Sequence, residues 1–184
     1  MADARASAGG TLPPLAPTPA RSGPWRGLGY GVALAWFIID QLTKWAITHP
    51  LALPERASVE LLPIFRLIWV ENYGVSMGFL TAGSDGARWL LTALTGAIAV
   101  GVAWWLWRER QRPEAVALGL VLGGAAGNIL DRVRLGYVAD FLNLHFGAWS
   151  PFLVFNVADV GVSVGVAFLV LRALFAREPR LSEK

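Results

Sequence analysis

The chain has no cysteine and only two histidines, His49 and His145. The first absence excludes disulfides, thiolate catalysis and zinc–sulfur sites. The second speaks against a histidine-based metal site. Charge is scarce as well. Asp, Glu, Lys and Arg make up 16% of the 184 residues, against about 25% in a soluble domain. Apolar residues dominate instead, at 55%, with a mean hydropathy of +0.49. That is a membrane-protein composition, and the length suits one small multi-span domain. Nine Trp fit the same frame, because Trp gathers at membrane–water interfaces. A net charge of +3 and a pI near 9.8 do not imply a nucleic-acid partner. The basic residues flank hydrophobic runs rather than forming a patch, as the positive-inside rule requires.

Residues 1–24 are rich in Ala, Pro, Gly and Ser and have no apolar period. They read as a disordered tail, not a signal peptide. Four apolar stretches follow, at about 27–48, 87–107, 114–134 and 152–175. Each suffices to cross roughly 30 Å of hydrocarbon at about 1.5 Å per residue. Between the first two, Pro50, Pro54 and Pro63 exclude a long helix. Residues 64–70 read as a strand, and Asn72, Gly74 and Gly78 mark a turn or close backbone approach. In the third stretch Gly119, Gly123 and Gly127 recur every four residues, a small-residue stripe for close helix packing. They are no phosphate loop, since no strand precedes them and no Lys-Ser/Thr follows. Residues 135–151 read as an extramembrane loop with Phe141, Leu142, Leu144, Phe146 and Trp149 at the interface. The expected fold is an all-α membrane protein of four transmembrane helices, with a small extracytoplasmic β cradle and an interfacial segment. Residues 25–176 form that four-span domain and 177–184 a cytoplasmic tail.

Four spans place both termini on one side. That side carries Arg5, Arg21, Arg26, Arg108, Arg110, Arg112, Arg172, Arg177, Arg180 and Lys184. The other carries Lys44, Arg56, Arg66, Arg88, Arg132 and Arg134. Ten against six predicts cytoplasmic termini. Asp40 then lies 14 residues beyond Arg26, and Asn128 14 beyond Glu114, each about 21 Å along a helix. Asp159 lies 13 before Arg172, about 20 Å. Polar groups from three helices thus meet at one level, in the outer third of the bilayer.

An ionisable group inside an apolar span costs a few kcal/mol or more and is usually there for function. The stretch 123–159 holds Asn128, Asp131, Arg132, Asp140, Asn156 and Asp159. Asp131 is followed by Arg132 and suits an ion pair or a structural bond. Asp40 and Lys44 share one face of the first helix, as a snorkelling pair or as a polar face turned to the site. Asn156 and Asp159, three apart, share one face of the fourth. Asp140 and Asp159 are the bare carboxylates. Two carboxylates held close in low dielectric resist ionising together, so one keeps a proton while the other accepts one from water. Such a pair hydrolyses an amide without a nucleophilic side chain. A proton-coupled transporter and a metal-dependent lipid-phosphate transferase would also use membrane carboxylates.

Five segments occur in order along residues 30–175: DQLTKW (40–45), NYGVSMG (72–78), GNILDR (127–132), VADF (138–141) and FNVAD (155–159). Together they resemble the bacterial lipoprotein signal peptidases, or signal peptidase II. The resemblance implies an aspartic endopeptidase of the plasma (inner) membrane, with its site toward the outer face. Such an enzyme cuts prolipoproteins just before a diacylglyceryl-modified Cys. It implies Asp140 and Asp159 as the catalytic pair. Asp40, Lys44, Asn72, Gly74, Asn128, Asp131, Arg132 and Asn156 match the family's other functional or supporting positions. It further implies a β cradle and inhibition by the cyclic peptide globomycin, while the lack of Cys and the two scattered His lead to the expectation of no cofactor or metal. The expected partners are lipidated prolipoproteins and membrane lipid, met by a monomer. Val75, Ser76 and Met77 depart from the usual Ala, Ala and aromatic, and Val160 from a frequent Ser. A transporter would place carboxylates at the midplane and show internal repeats, and neither is visible. The complete Asp/Asn set argues against a scaffold with a relic site.

Overall fold

The computed structural model describes residues 23–56, 58–74, 85–147 and 149–175. Val75, Ser76, Met77 and Gly78, and both chain ends, lie outside them. The described residues form four α-helices: α1 (Arg26–Thr48), α2 (Asp85–Arg108), α3 (Arg112–Arg134) and α4 (Val157–Phe175). Three strands, β1 (Val59–Leu62), β2 (Phe65–Asn72) and β3 (Val138–Leu144), form one sheet.

Three of the helices, α2, α3 and α4, are long and apolar enough to cross a membrane. The fourth, α1, has 23 residues, about 34 Å. Asp40, Gln41 and Lys44 interrupt its C-terminal half, so it lacks the continuous apolar stretch that the other three have. Half of α3's apolar window is buried, against 6% for α2 and 17% for α4. α3 is therefore the central post, and the others stand against it. Its start is fixed locally. Glu109 Oε1 accepts from the backbone N–H of Arg110 and Gln111, at 2.7 and 2.9 Å. Pro113 follows in the first turn, where the missing N–H has no helical partner to lose.

The glycine stripe has a geometric reason. A Cβ on Gly119 or Gly123 would strike the α1 backbone at Gly29 O or Ala33 O. One on Gly124 would strike Ala158 O of α4, and one on Gly127 the Asp40 carboxylate. Both neighbours thus lie closer to α3 than a methyl group allows. Trp36 locks the far side, donating from Nε1 to Val157 O at 3.0 Å. At the opposite end of the bundle, Gly23 N–H donates to Trp107 O at 2.8 Å, tying the chain before α1 to the end of α2.

The sheet is antiparallel in the order β1-β2-β3. Leu53, Leu67 and Phe141 form its core, with Ile47, Trp69 and Val157 packed on it, so the sheet is glued to helix ends. β2 was expected, but β3 lies where a loop was expected. Phe141 is 2% exposed, not interfacial, whereas Phe146 and Trp149 are exposed. The reason is that β3 is covered on both edges. β2 pairs on one side, and Phe155 bonds Phe141 and Leu142 on the other. Val138, Ala139, Asp140 and Phe141 are buried in succession, so no alternation reveals the strand. The same pairing uses the residues before Val157, so the fourth helix starts there and not at 152.

Gly123→Ala should lower the thermal stability of the detergent-solubilised protein by about 1–3 kcal/mol, through overpacking against Ala33 O. Gly96→Ala, whose Cβ would meet nothing within 4 Å, should leave it unchanged or slightly raised. Thermal unfolding of the two variants side by side checks this.

Candidate active site

Asp140 enters the site from β3, opposite Val70 of β2. Asp159 enters from the first turn of α4. Asn156 sits just before that helix rather than on its face. Its backbone N–H donates to Asp159 Oδ2 at 3.0 Å, while its Oδ1 accepts from Asp159 N–H at 3.0 Å. This is a reciprocal capping box, and it fixes the Asp159 rotamer. The remaining amide group of Asn156 points outward and donates to Asp140 Oδ1 at 2.7 Å and Asn128 Oδ1 at 3.1 Å. Asn128 in turn donates to Asp159 Oδ1 at 2.8 Å. One asparagine thus links both carboxylates.

The fourth oxygen, Asp140 Oδ2, accepts from Asn72 Nδ2 at 2.8 Å. Gly74 explains why Asn72 points that way. Its N–H donates to Asn72 Oδ1 at 2.8 Å, leaving Nδ2 for the acid. Gly74 has φ +82°, a conformation that favours glycine. Burial raises the Asp140 pKa to about 6. The Asn72 bond offsets part of the rise, and the nearby Asp159 charge adds to it.

Behind this pair lies a buried ion triad. Asp40, Lys44 and Asp131 are 0%, 6% and 4% exposed. Lys44 Nζ donates to Asp40 Oδ2 at 2.9 Å, to Asp131 Oδ2 at 2.7 Å and to Asn128 Oδ1 at 3.4 Å. Asp40 and Lys44 are therefore turned to the site and do not snorkel. Asp131 pairs with Lys44 and not with its neighbour Arg132. Arg132 bends back to Asn128 O at 3.4 Å, with its guanidinium beside Gly74.

Every site residue named from the sequence lies in this one network. Gln41 was missed. It donates to Asp40 Oδ2 at 3.1 Å and Asp131 Oδ1 at 3.2 Å. A neutral polar side chain beside Asp40 in an apolar helix was the available signal. Two backbone donors were also missed, Ala158 N–H to Asp40 Oδ1 at 2.9 Å and Ala139 N–H to Asp131 Oδ2 at 3.2 Å. An apolar groove of about 360 Å³ opens at Asp159, between Phe152, Leu153, Phe155, Val160 and Val164.

A family model described as Signal peptidase (SPase) II matches residues 32–175. The chain belongs to the signal peptidase II family. Membership makes it a protease. Its relatives include the lipoprotein signal peptidase of Rhizorhabdus wittichii, 62% identical over 85% of this chain and 91% of that one. That of Sphingopyxis alaskensis is 47% identical over 84% of this chain and 90% of its own length. Two solved structures described as bacterial membrane enzymes, obtained by the in meso method, share the fold. One has TM-score 0.72 and 24% identity, covering 89% of this chain and 98% of its own. The other has TM-score 0.72 and 26% identity, covering 85% and 99%. The signal peptidase II match spans α1 to α4 and includes all ten residues named above.

Asp131→Asn should cost about 1–3 kcal/mol of stability by weakening a buried charged bond. It should lower turnover per folded molecule no more than that, because Asn keeps an acceptor for Ala139. Thermal unfolding set against turnover of the folded fraction checks this; a fully stable, inactive variant would move Asp131 into the chemistry.

Proposed function

We infer that this peptidase is an intramembrane aspartic endopeptidase. It removes the signal peptide from diacylglyceryl-modified prolipoproteins, cutting just before the lipidated Cys. The observation that carries this is the Asp140–Asn156–Asp159 linkage, in which one asparagine bonds both carboxyl groups and all four of their oxygens accept a hydrogen bond. α1 serves as the fourth span, the termini are cytoplasmic, and the sheet lies on the outer face of the bacterial plasma membrane. The apolar groove at Asp159 gives acyl chains a place to stay in lipid while the peptide meets the acids.

Asp159 acts as the base. It lies at a helix N-terminus, where a negative charge is favoured. It takes a proton from water as the water oxygen bonds to the scissile carbonyl carbon. Asp140, buried and protonated, donates to the carbonyl oxygen and stabilises its developing charge. Collapse of the tetrahedral intermediate breaks the C–N bond. The amide nitrogen leaves with the proton held by Asp159, and Asp140 recovers its own. The products are the peptide's carboxylic acid and the free amine of the lipidated Cys; the acid then gives its proton to water or to the amine. Asn72, Asn128 and Arg132 stand where they would hold the substrate backbone or the acids. Globomycin-type peptides should compete at this site.

Asp140→Asn or Asp159→Asn should each abolish cleavage of a lipidated prolipoprotein, and the double variant should be little worse, because groups acting as a unit are not additive. Near-parent activity in either folded single variant would sink the assignment. The Asp140 carboxyl is protonated below about pH 6 and ionised above it. kcat/KM should therefore fall as pH rises through about 6, approaching tenfold per unit. With no Cys and two His in the chain, activity should also survive chelator; loss restored by a divalent ion would favour metal-assisted hydrolysis.

A further inference from the structure

The ion triad does more than neutralise buried charge. Asp40 grips the N–H of Ala158, the residue before Asp159, at 2.9 Å. Asp131 grips the N–H of Ala139, the residue before Asp140, at 3.2 Å. Lys44 Nζ joins these two carboxylates at 2.9 and 2.7 Å. Its third bond reaches Asn128, which holds Asp159 Oδ1. An ammonium has three donors, and all three lead to a group that places one of the two acids. We propose that Lys44 is the positioning residue of the dyad, a yoke from α1 that sets how far β3 and the start of α4 stand apart.

Lys44 touches neither reacting carboxyl, so its role presupposes the Asp140–Asp159 pair proposed above. A plain charge-neutralising function would account for the contacts to Asp40 and Asp131 but not for the third, to the neutral Asn128. The parallel arrangement, in which each supporting aspartate holds the peptide one residue ahead of each acid, is what distinguishes a spacer. Misplacement of a reacting group by about 1 Å costs about 10²-fold in rate. Loss of the yoke should therefore act on turnover rather than on substrate affinity. It should also leave an electrostatic trace. The charges around Asp140 come from Asp159 on α4, Lys44 on α1 and Arg132 on α3. Of these, Lys44 draws the Asp140 pKa down. Without it the acid stays protonated to higher pH.

The site leaves room for the experiment. A cavity of about 320 Å³ reaches Lys44 from the outer ends of α1 and α3, between Trp45, Trp69 and Tyr137. Lys44→Gln and Lys44→Arg are purified in detergent. Folded fraction is measured by thermal unfolding, and cleavage of a lipidated prolipoprotein is followed from pH 5 to 9. Lys44→Gln should lose about 100-fold in kcat per folded molecule, with KM within about threefold, and its basic limb should move to higher pH. Lys44→Arg keeps the charge but not the three-pointed geometry. It should fold, lose about tenfold in kcat, and keep the parent's basic limb, so it decides the matter even if Lys44→Gln does not fold. Parent-level kcat in either folded variant overturns the role, as does a loss confined to KM. Asp140→Asn, run in parallel, separates the two ideas: if it cleaves normally, the aspartyl assignment fails, whatever Lys44 does.

Discussion

A carboxylate can be buried only if each oxygen finds a donor, and most of the structure follows from meeting that demand four times over. Asp40, Asp131, Asp140 and Asp159 lie side by side, and all eight oxygens accept a hydrogen bond. Among the described residues, only one ammonium, that of Lys44, serves the group directly. The remaining donors are asparagine and glutamine amides and three backbone N–H groups, drawn from α1, α3, α4, β2, β3 and the residue ahead of α4. Neutral donors hold a carboxylate in place without committing it to an ion pair. That suits the two acids proposed to exchange protons, and the cation is kept one layer back.

Such a network tolerates little slack, and the glycines of α3 answer that need. Lys44 reaches Asp131 and Asn128 only because α1 runs against α3 closer than side chains allow. Gly127 shows the link most directly, since the space a methyl group would take is occupied by the Asp40 carboxylate. Packing and chemistry are therefore one constraint at that position. In lipid, where apolar association gains little, close van der Waals contact is a main source of helix adhesion. The stripe thus serves the bundle along one half of α3 and the site along the other.

Much of this was legible in the sequence. The long apolar runs located α2, α3 and α4 within a few residues. Polar residues inside those runs marked the site, because an apolar span has no other use for them. The first run located α1 as well, expected at 27–48 and found at Arg26–Thr48, although Asp40, Gln41 and Lys44 lower its apolar character in the half that builds the network. β3 was hidden because both of its edges and both of its faces are covered, which removes the alternation a strand usually shows. Asn156 was placed on a helix, since a spacing of three reads the same whether the first residue is in the helix or caps it. The partner of Asp131 was illegible for a different reason. Arg132 is adjacent in sequence, but adjacent residues on a helix point apart, and only the tertiary fold brings Lys44 near.

The bonds that define the site join distant parts of the chain. Asn72 meets Asp140 across 68 residues, and Asp40 meets Ala158 across 118. The last piece is the N-terminal turn of α4, which brings Asp159 and, through Asn156, the tie to Asp140. During synthesis the chain is made from its N-terminal end, so α1, α2, the sheet hairpin and α3 emerge first. A chain stopped before α4 holds a lone acid with half its donors missing. On the proposed assignment, competence therefore arrives only with the first turn of α4, which brings Asp159 and the bonds of Asn156.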